Sequence, residues 1–220
     1  MEDKKDTQAY YLIKIGLEEH MNQFHKKGVV YMNSVAYFRD CSNPEQGDSF
    51  EGAQIVKDGK VVSLRENYSF EKIFCMWHLN SSDPMKSAKS VTENNDKAEA
   101  LYDFRDYAGF SDNIDNLRMV VIQNIKEFHN RFRRSLNAKG YYGKYSYSHV
   151  TYYNPYEKKE IEVDAFMKPI TFEKQNEIRY WVLDNNEKPL VVELGDISDI
   201  AQIFPLNSIA KVKYNIEYHG

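Results

Sequence analysis

Cysteine, long apolar runs and a surplus of basic charge are what this sequence has least of. Its 220 residues hold two cysteines, Cys41 and Cys75, in different segments. That excludes a disulfide framework and a paired-cysteine zinc site, and makes a reduced, cytoplasmic protein the expectation. No apolar stretch approaches the roughly 20 residues that span a bilayer. The opening MEDKKDTQ is charged and lacks the apolar centre of a secretory signal, so no membrane partner is expected. With a formal net charge of −4, no global field draws the chain to nucleic acid or anionic lipid, and only a local basic patch could do so. The histidines form no metal-type pair at helical spacing with a further acid, so no metal site is expected. His78, after Trp77 at a strand end, is the imidazole best placed for chemistry, with a structural role as the plainer account. G-x-S-x-G, P-loop and Rossmann glycine patterns are missing, which excludes Ser/His hydrolases of the elbow type and P-loop NTPases.

Tyrosine is abundant, with 17 copies. Strand patterns recur at Tyr10–Ile15, Val29–Met32, Phe70–Leu79, Arg118–Ile122, Tyr145–Tyr153, Ile161–Val163, Glu177–Leu183, Leu190–Leu194 and Ile209–Ile216. Asp58-Gly59 between two β-branched runs predicts a tight hairpin. Two principal helices are expected. Leu17, Met21 and Phe24 mark one, stopped by Gly28. Phe128, Phe132 and Leu136 mark the other, which Asn124 and Glu127 open as a capping box. A short helix is expected over Asp196–Ile203. Residues 80–116 read as a polar insertion or lid with a weak helical segment around Ala98–Tyr107. The fold class is therefore α+β: a single domain with a mostly antiparallel, bent sheet, two main helices and that insertion.

Three constellations could carry chemistry. In Lys168–Leu183 (KPITFEKQNEIRYWVL), Gln175 and Glu177 stand two residues apart where a strand begins, and Arg179 continues their face. A functional sheet rim is one account, and a solvated face or a Glu177–Arg179 ion pair is the other. The loop Asp40–Gly52 offers Asp48 and Glu51 as an acid pair for proton transfer or a divalent cation, unless these acids only cap local amides. Arg131, Arg133, Arg134, Lys139 and Lys144 precede or join a tyrosine ladder containing Tyr145 and Tyr147. Basic charge beside aromatic rings suits single-stranded nucleic acid, although helix C-terminal charge and cross-strand packing explain the same residues.

Taken in order, Val30–Phe38 (VYMNSVAYF), Asp48–Gly52 (DSFEG), Phe74-Cys75, Val150–Tyr152 and Lys168–Arg179 resemble a widespread prokaryotic domain family of uncharacterised function. That family is found in mobile-element and phage-conflict settings. Separately, Gln175-x-Glu177 opening a strand after a polar loop is similar to the Q/E-x-E signature of ADP-ribosyltransferases. The resemblance implies NAD as cofactor or substrate. It makes Glu177 the catalytic acid that stabilises the cationic sugar and Gln175 the residue that orients the acceptor. Tyr31 or Tyr37 would stack on nicotinamide, with Arg179 among the cofactor contacts. Where the superfamily carries Arg or His on its first strand this chain has Lys14, and where it carries Ser-Thr-Ser this chain has Asn33-Ser34. The leading expectation is a nucleotide-directed protein, in sharp form an NAD-dependent ADP-ribosyltransferase or NAD hydrolase of phage–bacterium conflict. The alternative is a non-catalytic module that recognises nucleic acid or a partner protein through the basic, tyrosine-rich surface.

Overall fold

The computed structural model describes residues 10–42, 47–80, 90–94, 97–103, 114–208 and 211–217. In chain order the elements are β1 (Tyr10–Leu17), α1 (Glu18–Lys27), β2 (Val29–Ser34), α2 (Val35–Asp40), β3 (Ala53–Lys57), β4 (Lys60–Leu64) and β5 (Glu71–Asn80). They continue with β6 (Ser90–Asn94), β7 (Lys97–Asp103), β8 (Leu117–Ile122), α3 (Ile125–Ala138), β9 (Tyr145–His149), β10 (Thr151–Tyr153), β11 (Ile161–Glu162) and β12 (Met167–Pro169). A 3-10 turn over Ile170–Gln175 leads into β13 (Glu177–Leu183), followed by β14 (Leu190–Glu193), β15 (Ala201–Pro205) and β16 (Lys211–Glu217). The class is α+β, and nearly every strand pairing is antiparallel, β10 with β12 being parallel. No helix among the described residues is long and apolar enough to cross a membrane.

Alternation along the central strands decides where the core lies. Ile178, Tyr180 and Val182 of β13 stand opposite Met76, Phe74 and Lys72 of β5. Helices α1 and α3 pack on this face. Phe24 lies 5.7 Å from Phe74 and 6.1 Å from Phe128, while Phe132 meets the Tyr180 ring at 5.0 Å. Each such ring, withdrawn from water, contributes about 1.5–3 kcal/mol. Tyr180 is fully buried, and its hydroxyl bonds His129 Nε2 at 2.8 Å. The opposite face of β13 carries Glu177, Arg179 and Trp181, and their register partners on β5 are Trp77, Cys75 and Ile73.

The sheet forks at β5. Along one side β5 pairs with β13 from Glu71 to Trp77. On the other side it meets β2 only at Lys72 and Ile73, and β1 only from Trp77 onward. A carbonyl between those two ladders must find another donor. Lys14 Nζ donates to Cys75 O at 2.7 Å and sits 4.7 Å from the Phe74 ring centre.

The hairpin forms as its turn residues require, with Asp58 at φ 46° and Gly59 at φ 71°. Asn124 caps α3, its side chain accepting from Glu127 N at 3.1 Å. The Glu127 carboxylate, however, turns to Arg131 and Arg134 instead of back to the cap. Three expectations need correcting. Part of the expected helical segment at 98–107 is β7, a strand whose ladder partner β16 lies near the far end of the chain; residues 104–107 lie outside the described residues. Asp196–Ile203 is a turn entering β15, because Ala201–Pro205 completes the sheet edge beside β8. Lastly, Glu177 and Arg179 are not at a solvated rim, with exposures of 5% and 0%.

Gly28 closes α1 in the left-handed region at φ 62°, and a Cβ there would stand 2.3 Å from the Gly195 carbonyl oxygen. Gly140, after α3, has φ 88° with nothing within 4 Å of the same position. Gly140→Ala is therefore expected to cost only the left-handed penalty of about 1–2 kcal/mol. Gly28→Ala should cost clearly more, because backbone must move as well. Urea unfolding of the two variants measures the difference, and equal losses would refute the steric account.

Candidate functional site

The DSFEG loop is folded by its own acids and by Arg39. Asp48 Oδ1 accepts from Phe50 N at 2.9 Å, and Asp48 O accepts from Glu51 N at 2.9 Å. Arg39 donates to the carbonyls of Ser49 and Glu51 at 2.8 and 3.1 Å. This turn sends Glu51 inward onto the polar face of β13. There Arg179 holds both Glu51 oxygens at 2.6 and 3.2 Å, donates to Glu177 Oε1 at 2.8 Å, and donates to Ala165 O at 2.7 Å. Lys168 Nζ bridges Gln175 Oε1 at 2.8 Å and Glu177 Oε2 at 3.3 Å, with the Phe172 ring 4.5 Å away. Tyr152 Oη accepts the Glu177 amide at 3.0 Å. One arginine thus ties together the DSFEG loop, the segment before β12 and the central sheet.

The electrostatics follow from burial against pairing. Burial alone would raise the Glu177 carboxyl, but Lys168 and Arg179 outweigh it and hold the group well below the usual carboxylate range. Burial would likewise strip Lys168 of its proton, and the Glu177 charge reverses that. Asp48 goes the other way. Burial, reinforced by the Glu51 charge, pushes it up to about 6, with the Phe50 amide, Lys168 and Arg179 pulling back. Glu51 and Glu177 pair with Lys168 and Arg179, and Lys14 also faces Glu177, whereas Asp48 has no ion-pair partner among the described residues.

Asp48 also lines a cleft of about 220 Å³. Its walls include Phe50, Tyr156, Phe172, Pro155 and Thr171, and among the described residues no lysine or arginine. Tyr156 is fixed by the hairpin beneath it: Gly59 N donates to Pro155 O at 2.8 Å, and a Cβ on Gly59 would meet the Tyr156 ring at 2.7 Å. A second hollow, of about 370 Å³, runs along Gln54, Ile55 and Glu162–Asp164. Glu177 lines neither of them.

The sequence-derived candidates separate accordingly. Gln175 and Glu177 do converge, but through Lys168, since Asn176 between them is left-handed at φ 37° and ends the 3-10 turn. Arg179 and Glu51 join the same cluster, and Asp48 both caps its loop and faces the cleft. The remaining candidates for NAD contact do not join them. Lys14 serves the fork carbonyl, and burial lowers its pKa. Ser34 is spent as the α2 cap, accepting from Tyr37 N at 3.1 Å. Tyr31 and Tyr37 are exposed and line neither hollow, Tyr37 packing edge-on against Phe38.

The basic stretch is partly neutralised. Arg131 binds Glu127 at 3.0 Å and Asp199 at 2.9 Å, and Arg134 binds Glu127 at 2.9 Å. Tyr145 Oη donates to Asn137 at 3.1 Å, and Tyr147 stacks on His129 at 4.0 Å. Arg133, Lys139 and Lys144 are exposed. His78 is buried with its ring 4.5 Å from His149, and burial, then the neighbouring ring, lowers it to about 4.

Sequence reasoning passed over Lys168, Phe172, Phe50 and Tyr156 as site residues. Lys168 had one signal, its place nine residues before Glu177 within a polar stretch; Tyr156 had none, because its position depends on a hairpin about a hundred residues upstream. Among the described residues no group of three or more His, Cys, Asp or Glu is arranged to hold a metal. Comparison with family models, curated proteins and solved structures returned no significant match.

Proposed function

We propose that the protein is nucleotide-directed, binding or acting on its ligand in the cleft beside Asp48. The observation that carries this reading is a buried carboxyl, displaced to about 6, on the wall of an aromatic cleft and backed by a buried ion cluster. Burying such a group without a counter-ion costs stability and is how acid–base residues are tuned. The sharp form is cleavage of the nicotinamide–ribose bond of NAD. The bonding pair leaves with the nicotinamide nitrogen, giving neutral nicotinamide. Water or an acceptor hydroxyl then adds to the sugar carbon and gives up its proton. In this reading ionised Asp48 faces the developing cationic sugar and takes that proton. Glu177 and Arg179 act one layer behind, holding the DSFEG loop that carries Asp48.

The test is nicotinamide release from NAD together with a thermal-shift panel of nucleotides. Wild type is expected to release nicotinamide, with Asp48→Asn slower by about 10²–10³-fold while remaining folded. Glu177→Gln should lower the melting temperature, because it leaves Lys168 and Arg179 short of a counter-charge. If no nucleotide stabilises the protein and NAD is untouched, the reading fails, since a ligand of the native state must raise its stability.

One observation favours the binding-module reading. Tyr142 and Tyr147 are 73% and 40% exposed on the segment that carries Lys144, and neither Lys144 nor Arg133 pairs with a carboxylate among the described residues. Under that reading, reversing the charge of Arg133 and Lys144 weakens single-stranded nucleic-acid binding and flattens its salt dependence. Unchanged binding dismisses the surface.

A further inference from the structure

On the reading that the Asp48 cleft is the ligand site, we infer that the group it receives is an organic cation, held between aromatic rings and neutralised by the Asp48 carboxylate. Three observations carry this. First, Glu51 and Glu177 are each tied to Arg179 or Lys168, with Lys14 also facing Glu177, whereas Asp48 pairs with no cation among the described residues, so its ionised form has a place for a positive charge. Second, among the described residues the lining supplies Phe50, Tyr156 and Phe172, and Asp48 is its one charged side chain, so a cation entering it meets an opposite charge at the wall. Third, the site already shows the contact: Lys168 Nζ lies 4.5 Å from the Phe172 ring centre. Cations are held on aromatic faces in this way, more strongly where water is excluded.

The groups facing Asp48 are Glu51 from its own loop, Lys168 on β12, Arg179 on β13 and the phenol of Tyr153 on β10. Of these, Glu51 disfavours its charge, while Lys168 and Arg179 favour it without pairing to it. A bound cation would add to the second set, so cation binding expels the Asp48 proton where that proton is still present. The pyridinium of NAD fits this description, and so does any quaternary or ring-borne ammonium of similar size.

The experiment compares 1-methylnicotinamide, a cation, with neutral nicotinamide and anionic nicotinate by calorimetric titration between pH 4.5 and 8. The expected result is preference for the cation. Its affinity should rise nearly tenfold per pH unit up to about pH 6 and level off above, with proton release seen as buffer-dependent heat at the acidic end. Asp48→Asn should lose the pH dependence and most of the preference. Tyr156→Ala, at a 66% exposed side chain, should weaken cation binding without unfolding the protein. Equal binding of the neutral analogue at pH 8, tighter nicotinate, or no cation binding at millimolar concentration would overturn the inference. The two readings fail separately. Cation binding without NAD cleavage upholds the inference and removes glycosyl cleavage, whereas NAD cleavage with a cleft indifferent to charge does the reverse.

Discussion

Arg179→Met is expected to remove about 3–5 kcal/mol of folding stability at pH 8. That is a large part of the 5–15 kcal/mol that typical domains possess. Arg179 is fully buried, and it is the point at which two carboxylates and one backbone carbonyl from three segments meet. Methionine fills much of the volume but leaves Glu51 without a cation and Glu177 with Lys168 alone. An intact buried pair is weak ground for net stability, since desolvation offsets attraction. A half-dismantled one leaves the desolvation cost uncompensated. Two controls follow. The Arg179→Met, Glu51→Gln double variant, which removes the stranded charge, should recover about half the loss. The gap between the single variant and wild type should also narrow on acidification to pH 5.5, because a buried carboxyl without its cation takes up a proton readily. Urea titrations at both pH values read these terms, and a loss below about 1 kcal/mol at pH 8 would mean that water already solvates the cluster.

What the sequence reveals and what it hides divide along local and distant causes. The 3.6-residue spacing of Phe128, Phe132 and Leu136 and the Asp58-Gly59 turn depend on neighbours in the chain, and both features stand where the pattern places them. β15 and β7 were not legible. β15 owes its state to β8, some 80 residues upstream, and Lys97–Asp103 is the middle strand between its neighbour β6 and the distant β16, so only half of its ladder is local. The same division holds at the site. Period-two spacing correctly sets Glu177 and Arg179 on one face, opposite Ile178, Tyr180 and Val182. The spacing cannot say that a loop more than a hundred residues upstream folds over that face and turns a rim into an interior. That one missing contact, Glu51 on Arg179, moves the cleft-facing role from Glu177 to Asp48.

Asp48→Asn is expected to stabilise the fold by up to about 3 kcal/mol at pH 8 and to change it little at pH 4. A carboxyl that ionises at about 6 in the folded state and at the ordinary 3.8 in the unfolded chain favours folding while protonated. That contribution is complete below pH 3.8 and is lost as the pH rises to 6, a displacement worth about 3 kcal/mol. Asparagine keeps the oxygen that accepts from Phe50 N and has no proton to lose. The histidines slope the opposite way. Burial lowers both His78 and His129 to about 4 from 6.5, so their contribution is complete above pH 6.5 and is lost as the pH falls to 4. Wild type should therefore still gain stability from pH 4 to 6.5, because two histidines outweigh one carboxyl, but less steeply than the variant. Asp48→Asn should show the histidine slope uncovered, with stability rising to pH 6.5 and then level. Chemical denaturation across pH 4–8 separates these curves. A variant no more stable than wild type at pH 8 would mean that Asp48 carries no burial cost, and with that cost would go the main physical reason for regarding this acid as functional.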